Sequence, residues 1–407
     1  MKTIGIIASC DTKYQEVQFM RRCLQRCGCT PLVLDMAVGL GPSGAADIPR
    51  EEVFQEIGLV WEEIRQKPKG DLVVEMTRAM EALVLRLYRE GKIQGLIAAG
   101  GVQNTMVATN AMRALPLGFP KMMATTIACG QKVFGDVVGT KDVVTMPSIS
   151  DFTGINSMTR MVLTNACACV AGMVQYGAPF VKEPGKKTVG VTLMGITNEG
   201  CCAAVEELER LGIEAIGFHS TGVGGTIMEQ MAAEGQLDGI LDMTTHEITA
   251  EYFGGGFSYG AKNRLVKPLE QGLPMIVSVG GLDFVDFDKD HFPPRMEERV
   301  YNMHNGTLAH IKILPDEAEE VGAIFARRLN HAVRPVRLVL PTEGMRKNTR
   351  PGENLYCKET DEALIGAILK GLTNPLVTVE YQEGNINDAA WGREIARKMA
   401  AVLNEER

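Results

Sequence analysis

Ile213-Glu-Ala-Ile-Gly-Phe-His-Ser-Thr-Gly-Val-Gly-Gly-Thr-Ile-Met-Glu229 is the stretch from which the fold is read. The apolar run over 213–218 predicts a strand, and the run from Ile227 to about Ala233 predicts a helix, with Thr226 as the hydroxyl-bearing cap. Between them lie His219 and the glycines Gly222, Gly224 and Gly225. Glycines in such a turn let main-chain N–H groups approach an anion, and the positive end of the helix dipole adds to the attraction. The competing reading is a turn that only reverses the chain, since glycine punctuates most strand-to-helix turns.

The same arrangement recurs on either side. Ile4–Ala8 leads into Ser9-Cys-Asp-Thr-Lys13, and Gly95–Gly101 leads into Val102-Gln-Asn-Thr105. Thr188–Leu193 leads into Met194-Gly-Ile-Thr-Asn198, and Met275–Val279 leads into Gly280-Gly-Leu-Asp283. Each is an apolar run ending in polar, glycine-bearing residues, as at the carboxyl edge of an open parallel sheet where ligands bind. Strands are expected at 3–8, 31–35, 94–99, 121–125 and 143–146, with helices at 13–27, 71–90, 103–114 and 156–176. The charged stretch Val181-Lys-Glu-Pro-Gly-Lys-Lys187 then marks a domain boundary. Beyond it, strands are expected near 188–193, 213–218, 238–243, 275–279, 311–314, 336–340 and 376–380, with a helix from Pro315 to about Asn330. Residues 280–310 show no regular pattern, which points to a long functional loop. The predicted architecture is α/β, with two Rossmann-like domains of mainly parallel sheets, 1–184 and 185–407, and ligand in a cleft between them.

At 407 residues the chain can form two well-buried cores, and 45% hydrophobic with 23% charged residues is an ordinary globular composition. No apolar stretch approaches the ~20 residues a membrane span needs, and the first residues read as a strand, not a signal peptide. A net charge of −8 without a basic, aromatic-bearing cluster excludes nucleic acid as the expected partner. A small-molecule ligand is expected instead, with no membrane partner. The ten cysteines fit reduced thiols in a cytoplasmic protein. Cys23, Cys27 and Cys29 lack the second pair that a zinc finger needs. The long apolar helix over 156–176 suggests a domain or subunit interface, so a homo-oligomer, a dimer in the simplest case, is expected.

Standard nucleotide loops are absent. Gly190-Val-Thr-Leu-Met-Gly195 has Ile196 where a phosphate loop needs lysine, and no Gly-x-Gly-x-x-Gly follows the first strand. In the first half, Asp11, Thr12, Lys13, Gly100, Gly101, Asn104, Thr105, Thr125 and Thr126 could surround a phosphate, with Gly139, Thr140, Lys141 and Asp142 continuing the pattern. In the second half, Thr221, Gly222, Gly224, Gly225, Thr226, Gly280 and Asp283 are candidate substrate contacts. His219 is the candidate acid or base, assisted by Asp242 or Glu247, since a neighbouring carboxylate tunes an imidazole. His246, His304 and His310 also fall near turns. The same residue types could hold a divalent metal, but no helical His pair selects one, and no metal ligand is assigned. Gly254-Gly-Gly256 could form a closing loop.

Asp11-Thr-Lys13, Gly100-Gly101 with the Ala111-Met-Arg-Ala-Leu-Pro116 run, Phe218-His-x-Thr-Gly-x-Gly-Gly225 and Asn385-Ile-Asn-Asp388 together resemble the ATP-binding family named after the tomato mosaic virus resistance protein. Its bacterial members were filed as an uncharacterised protein family, and the resemblance runs through the whole chain. It implies a two-domain α/β fold with ATP as the cofactor of the amino-terminal domain, and no settled reaction. Where the family pattern reads Gly-Gly-Ser-Gly-Gly-Thr, this chain has Gly100-Gly-Val-Gln-Asn-Thr105. The expected function is an ATP-binding protein acting as an enzyme on a small anionic metabolite, the alternative being a non-catalytic ligand sensor or partner-binding homodimer.

Overall fold

The computed structural model describes residues 1–42, 44, 46–127, 138–256, 258 and 261–405. The chain forms two compact units, Met1–Val181 and Lys182–Arg407.

In the first unit the strands β1 (Thr3–Ala8), β2 (Thr30–Asp35), β3 (Gly95–Gly100), β4 (Lys121–Thr125) and β5 (Val144–Pro147) make one sheet in the order β2-β1-β3-β4-β5. Every pairing is parallel. Parallel strands need both faces covered, and the helices supply the cover: α1 (Tyr14–Arg26), α2 (Arg50–Gln55), α3 (Trp61–Ile64), α4 (Lys69–Arg89), α5 (Val102–Arg113) and α6 (Ser157–Tyr176). On α4, buried Leu72, Met76, Met80, Leu83 and Leu87 recur at helical spacing, so one stripe meets the core beneath Leu96, Ala98 and Met123. The opposite face packs Val17, Met20 and Leu24 of α1 with Val162, Leu163, Ala166 and Val170 of α6 onto Ile4, Ile6 and Ile97. Contrary to the composition reading, α6 is long and apolar enough to cross a membrane by length and composition alone. Here one of its faces covers the sheet.

The second unit has a six-stranded parallel sheet in the order β14-β13-β9-β8-β6-β7. Its strands are β6 (Thr188–Leu193), β7 (Glu214–His219), β8 (Gly239–Thr244), β9 (Met275–Gly280), β13 (Val336–Pro341) and β14 (Val377–Gln382). The helices are α7 (Asn198–Arg210), α8 (Val223–Ala233), α9 (Glu247–Tyr252), α10 (Val266–Glu270), α11 (Pro315–Leu329), α12 (Lys358–Gly371) and α13 (Ala389–Asn404). The stretch 280–310, expected to be irregular, instead holds strands of an antiparallel sheet. These are β10 (Phe284–Asp288), β11 (Tyr301–Met303) and β12 (Leu308–Lys312), ordered β10-β12-β11. All three residues of β11 are exposed, so it carries no apolar alternation for a sequence reading to detect.

Helix α8 starts at Val223, four residues before the predicted Ile227, and its cap is Gly222, not Thr226. Gly222 has φ +101°, a left-handed value that favours glycine. Thr226 lies inside the first turn and donates back to the Gly222 carbonyl at 2.9 Å. The first-turn amides do hold an anion, but it is the protein's own: Gly222 N–H and Gly225 N–H donate to Glu247 Oε1 at 2.7 and 3.1 Å. The other oxygen of Glu247 accepts from Arg264 Nε at 2.5 Å. Arg264, buried, also donates to Asp242 Oδ2 at 2.8 Å and to Glu229. Burial pushes the Asp242 and Glu229 carboxyls above their ordinary range, with Arg264 opposing the shift. This knot fixes the β7–α8 turn, and with it His219.

A Cβ on Gly225 would lie 1.9 Å from Glu247 Oε2. Gly225→Ala should therefore lower stability by about 1–3 kcal/mol, the usual cost of overpacking. Arg264→Met, which strands three buried carboxylates, should cost about 3–5 kcal/mol. Urea unfolding midpoints check both, and midpoints equal to wild type would contradict the knot.

Candidate functional site

A cavity of about 400 Å³ opens at the carboxyl edge of the second unit's parallel sheet. Its walls come from the turn after β6, the end of β7, the antiparallel sheet and the loop after β13. That the loops at this edge build it follows from the parallel topology, which brings successive strand ends to one side.

Arg346 is the cavity's distinguishing group. Its side chain is fully buried, and Nε donates to both carboxylate oxygens of Asp283, at 3.1 and 2.9 Å. Its guanidinium carbon lies 4.5 Å from the centre of the Phe284 ring. Among the described residues, Nη1 and Nη2 are buried without any hydrogen-bond partner. Unpaired buried donors on a charged group are costly, and in a native fold they call for an explanation.

The loop that carries Arg346 is held from several sides. The Thr349 hydroxyl donates to the Arg346 carbonyl at 2.6 Å, and Asn385 Nδ2 donates to that carbonyl and to Glu343 O, each at 3.0 Å. Lys347 N–H donates to Ile196 O at 2.8 Å. Asp388 Oδ2 in turn accepts from Asn385 N–H at 3.0 Å. The Asn385-Ile-Asn-Asp388 motif is therefore a brace for the Arg346 loop.

Asp283 also accepts from Lys312 Nζ at 2.9 Å, and Lys312 donates to Asp361 at 2.7 Å. Burial raises Asp283, but Arg346 and Lys312 outweigh it and hold the carboxyl down at about 2. Asp361, where burial wins over Lys312, is pushed up to about 6.

Three imidazoles share the polar lining with Thr221, Asp286, Asn302, Lys347 and Asn348. His219, His304 and His310 face the cavity. His304 and His310 stack with ring centres 4.7 Å apart, and His310 meets Phe284 edge-on at 5.1 Å. Burial, then the charge of Arg346, lowers His310 to about 4, so its ring is neutral at pH 7. His246 lies beneath, fully buried and stacked on Phe284 at 4.2 Å. Its Nδ1 is 2.9 Å from Gly281 O and its Nε2 is 3.3 Å from Asp286 Oδ1. Asp286 also accepts from the Ser258 hydroxyl at 2.6 Å. Burial raises Asp286, but His246 and Ser258 prevail and hold it at about 2.

Several expected site residues occupy other roles. Asp242 and Glu247 are fully buried against Arg264, so the carboxylate beside an imidazole is Asp286. Of the expected substrate contacts, Thr221 lines the cavity with His219. The amides of Gly222 and Gly225 serve Glu247. A Cβ on Gly224 would meet His219 O at 2.1 Å, and one on Gly280 would meet Met243 O at 2.3 Å, so both are close-packing positions. Asp283 positions Arg346 and is itself fully buried. Sequence reading missed Arg346, although it follows a strand end in Gly344-Met-Arg-Lys347, because an arginine in a polar loop reads as solvated.

In the first unit, the ends of β1, β3 and β4 do come together. Ser9 Oγ donates to Asn104 Oδ1 at 2.9 Å, the Thr105 and Thr125 hydroxyls are 2.6 Å apart, and Thr126 N–H donates to Gly100 O at 3.2 Å. Asn104 Nδ2 also donates to Ala99 O at 3.3 Å, so the Asn104, Thr105 and Thr125 side chains already have protein partners. Lys13 Nζ donates to Phe152 O, while Asp11 is half-buried and Thr12 exposed at the same edge. Gly101, which caps α5, has no side chain to offer the first-turn amides. Among the described residues, no group of three or more His, Cys, Asp or Glu side chains is placed to hold a metal ion. Cys23 and Cys29 are buried free thiols.

Residues 2–179 match the model of the N-terminal domain of the uncharacterised protein family UPF0261, and residues 186–403 match that of its C-terminal domain. A UPF0261 protein of Clostridium tetani is 33% identical over 99% of this chain and 100% of its own. The ToMV resistance protein Tm-1(GCR237) of Solanum lycopersicum is 34% identical over 83% of this chain, which spans 45% of the tomato protein. The crystal structure of MurG from Acinetobacter baumannii aligns over 98% of this chain and 100% of its own with 11% identity and a TM-score of 0.24, too low to say anything of this chain. Matched along both units and over the full length of a bacterial relative, the chain belongs to the UPF0261 family.

Proposed function

We propose that this protein binds a small anionic metabolite in the cavity of its carboxy-terminal unit and acts on it as an enzyme, with ATP bound by the amino-terminal unit. The observation that carries the first part is Arg346, a buried guanidinium that lines the cavity and whose two terminal nitrogens have no partner among the described residues. An anion there would complete charge-assisted hydrogen bonds that the fold leaves open. His219 and His304 at the same cavity are the groups available for proton transfer. For ATP, the support is the joined ends of β1, β3 and β4 beside the α5 N-terminus, where phosphate would meet first-turn amides.

A second reading, a ligand sensor without turnover, draws on one observation: Asp242 and Glu247 are committed to Arg264, so neither assists His219. Turnover of the bound metabolite separates the two.

Calorimetric titration with carboxylates and phosphate esters should find a saturable anion, and Arg346→Gln should weaken it about 10- to 100-fold, the worth of a lost charge-assisted bond. Silence from every anion would remove the proposal. If His219 is the acid or base, His219→Asn should cut turnover by ~10²–10⁴ while leaving affinity within about tenfold. ATP titration should show binding that Lys13→Ala weakens, and no heat with ATP would exclude the nucleotide.

Proton linkage gives a further expectation. The native His310 imidazole holds its proton only below about 4, against 6.5 for an ordinary histidine, so between those values the unfolded chain binds more protons. Stability from this group is present above pH 6.5 and is lost as pH falls toward 4. Asp361, raised to about 6, acts in the opposite sense, so wild type is to be compared with His310→Gln. The variant should lose less stability than wild type in urea unfolding between pH 6.5 and 4. Parallel curves would contradict a neutral buried imidazole.

A further inference from the structure

We infer that the carboxy-terminal cavity takes its ligand by a carboxylate: a small monocarboxylic acid with a flat or branched apolar body, one oxygen on each terminal nitrogen of Arg346. This deepens the proposed anion site and rests on it.

The case begins with donor geometry. Asp283 occupies Nε, which leaves Nη1 and Nη2 as a fixed, coplanar pair of donors. A carboxylate presents two coplanar oxygens at matching spacing, whereas a tetrahedral phosphate has a third anionic oxygen that needs its own donors. Such donors usually come from glycine-rich main chain at a helix N-terminus. Here the Gly222 and Gly225 amides of the adjacent turn are taken by Glu247.

Charge points the same way. The Asp286 carboxylate lines the cavity and is held as an anion, with its acid form appearing only near 2. With that carboxylate opposing, a single guanidinium balances the charge of a monoanion and leaves the second charge of a dianion uncompensated. Among the described residues that line the cavity, the one fully buried cation is Arg346, and Lys347 is exposed.

The remaining walls favour an apolar body. Met194, Ile196, Leu308 and Leu355 are each at most 7% exposed and line the cavity. The stacked His304 and His310 rings add a flat surface, and His310 is neutral at pH 7. An apolar body placed against these walls gains by burial of its own surface. At about 400 Å³ the space lies at the small end of the range for small-molecule sites.

The test is calorimetry of the full-length protein at pH 7 with benzoate, acetate, inorganic phosphate and phenyl phosphate. Benzoate should bind saturably, about tenfold or more tighter than acetate and than either phosphate, and Arg346→Lys, which keeps the charge but loses the fork, should weaken it by about tenfold or more. Tighter binding of phosphate or phenyl phosphate than of benzoate, lost in the same variant, would overturn the carboxylate inference and leave the anion site standing. No heat from any of the four with the wild-type protein would overturn both. Because the wild-type ranking alone decides between carboxylate and phosphate, the test holds even if the variant folds poorly.

Discussion

Asp283 is the carboxylate on which the candidate site depends. It sits just before β10, fully buried, and accepts from Arg346 of the β13–α12 loop and Lys312 of β12. Its main-chain oxygen accepts from Ile313 N–H as well, so one residue ties the antiparallel sheet to the loop that forms the opposite wall. A buried carboxylate between two cations is tolerable only because both are present, and each cation is likewise fixed by it. With Nε committed there, the guanidinium is held beside the cavity, and Nη1 and Nη2 remain as a buried pair of donors.

Two anion positions occur along this one sheet edge, and they differ in what fills them. At the α8 N-terminus the glycine amides and Arg264 surround Glu247, a carboxylate supplied by the chain. At Arg346 the chain supplies a carboxylate to one edge of the guanidinium only. The first arrangement is structural, since its donors are matched by side chains and a Cβ on Gly225 would break it. The second leaves strong donors buried and, among the described residues, unmatched, the condition under which an incoming anion gains most.

Much of the architecture was legible. Parallel strands buried on both faces write themselves as short apolar runs, and Thr3–Ala8, Lys121–Thr125 and Thr188–Leu193 lie where the pattern places them. The antiparallel sheet was not legible as a sheet because β11 is exposed throughout, while β12 was read only in part, as a strand near 311–314. Reading Gly217–Glu229 as an anion turn identified the right physics, amides at a helix start, but could not reveal that Glu247, more than twenty residues on, would be the anion. His219, His304 and His310 were recognisable as turn histidines, and the structure gathers them at one cavity. Arg346 and its brace Asn385 meet through tertiary contacts 39 residues apart, which no local spacing encodes.

The most direct measurement is a crystal structure of the protein soaked in 4-bromobenzoate, with the bromine located by its anomalous scattering. The predicted result is a bromine peak among Met194, Ile196 and Leu308 with the carboxylate on Nη1 and Nη2 of Arg346. A structure in which Arg346 turns both terminal nitrogens to carboxylates or carbonyls of its own chain, with no ligand in the cavity, would contradict it.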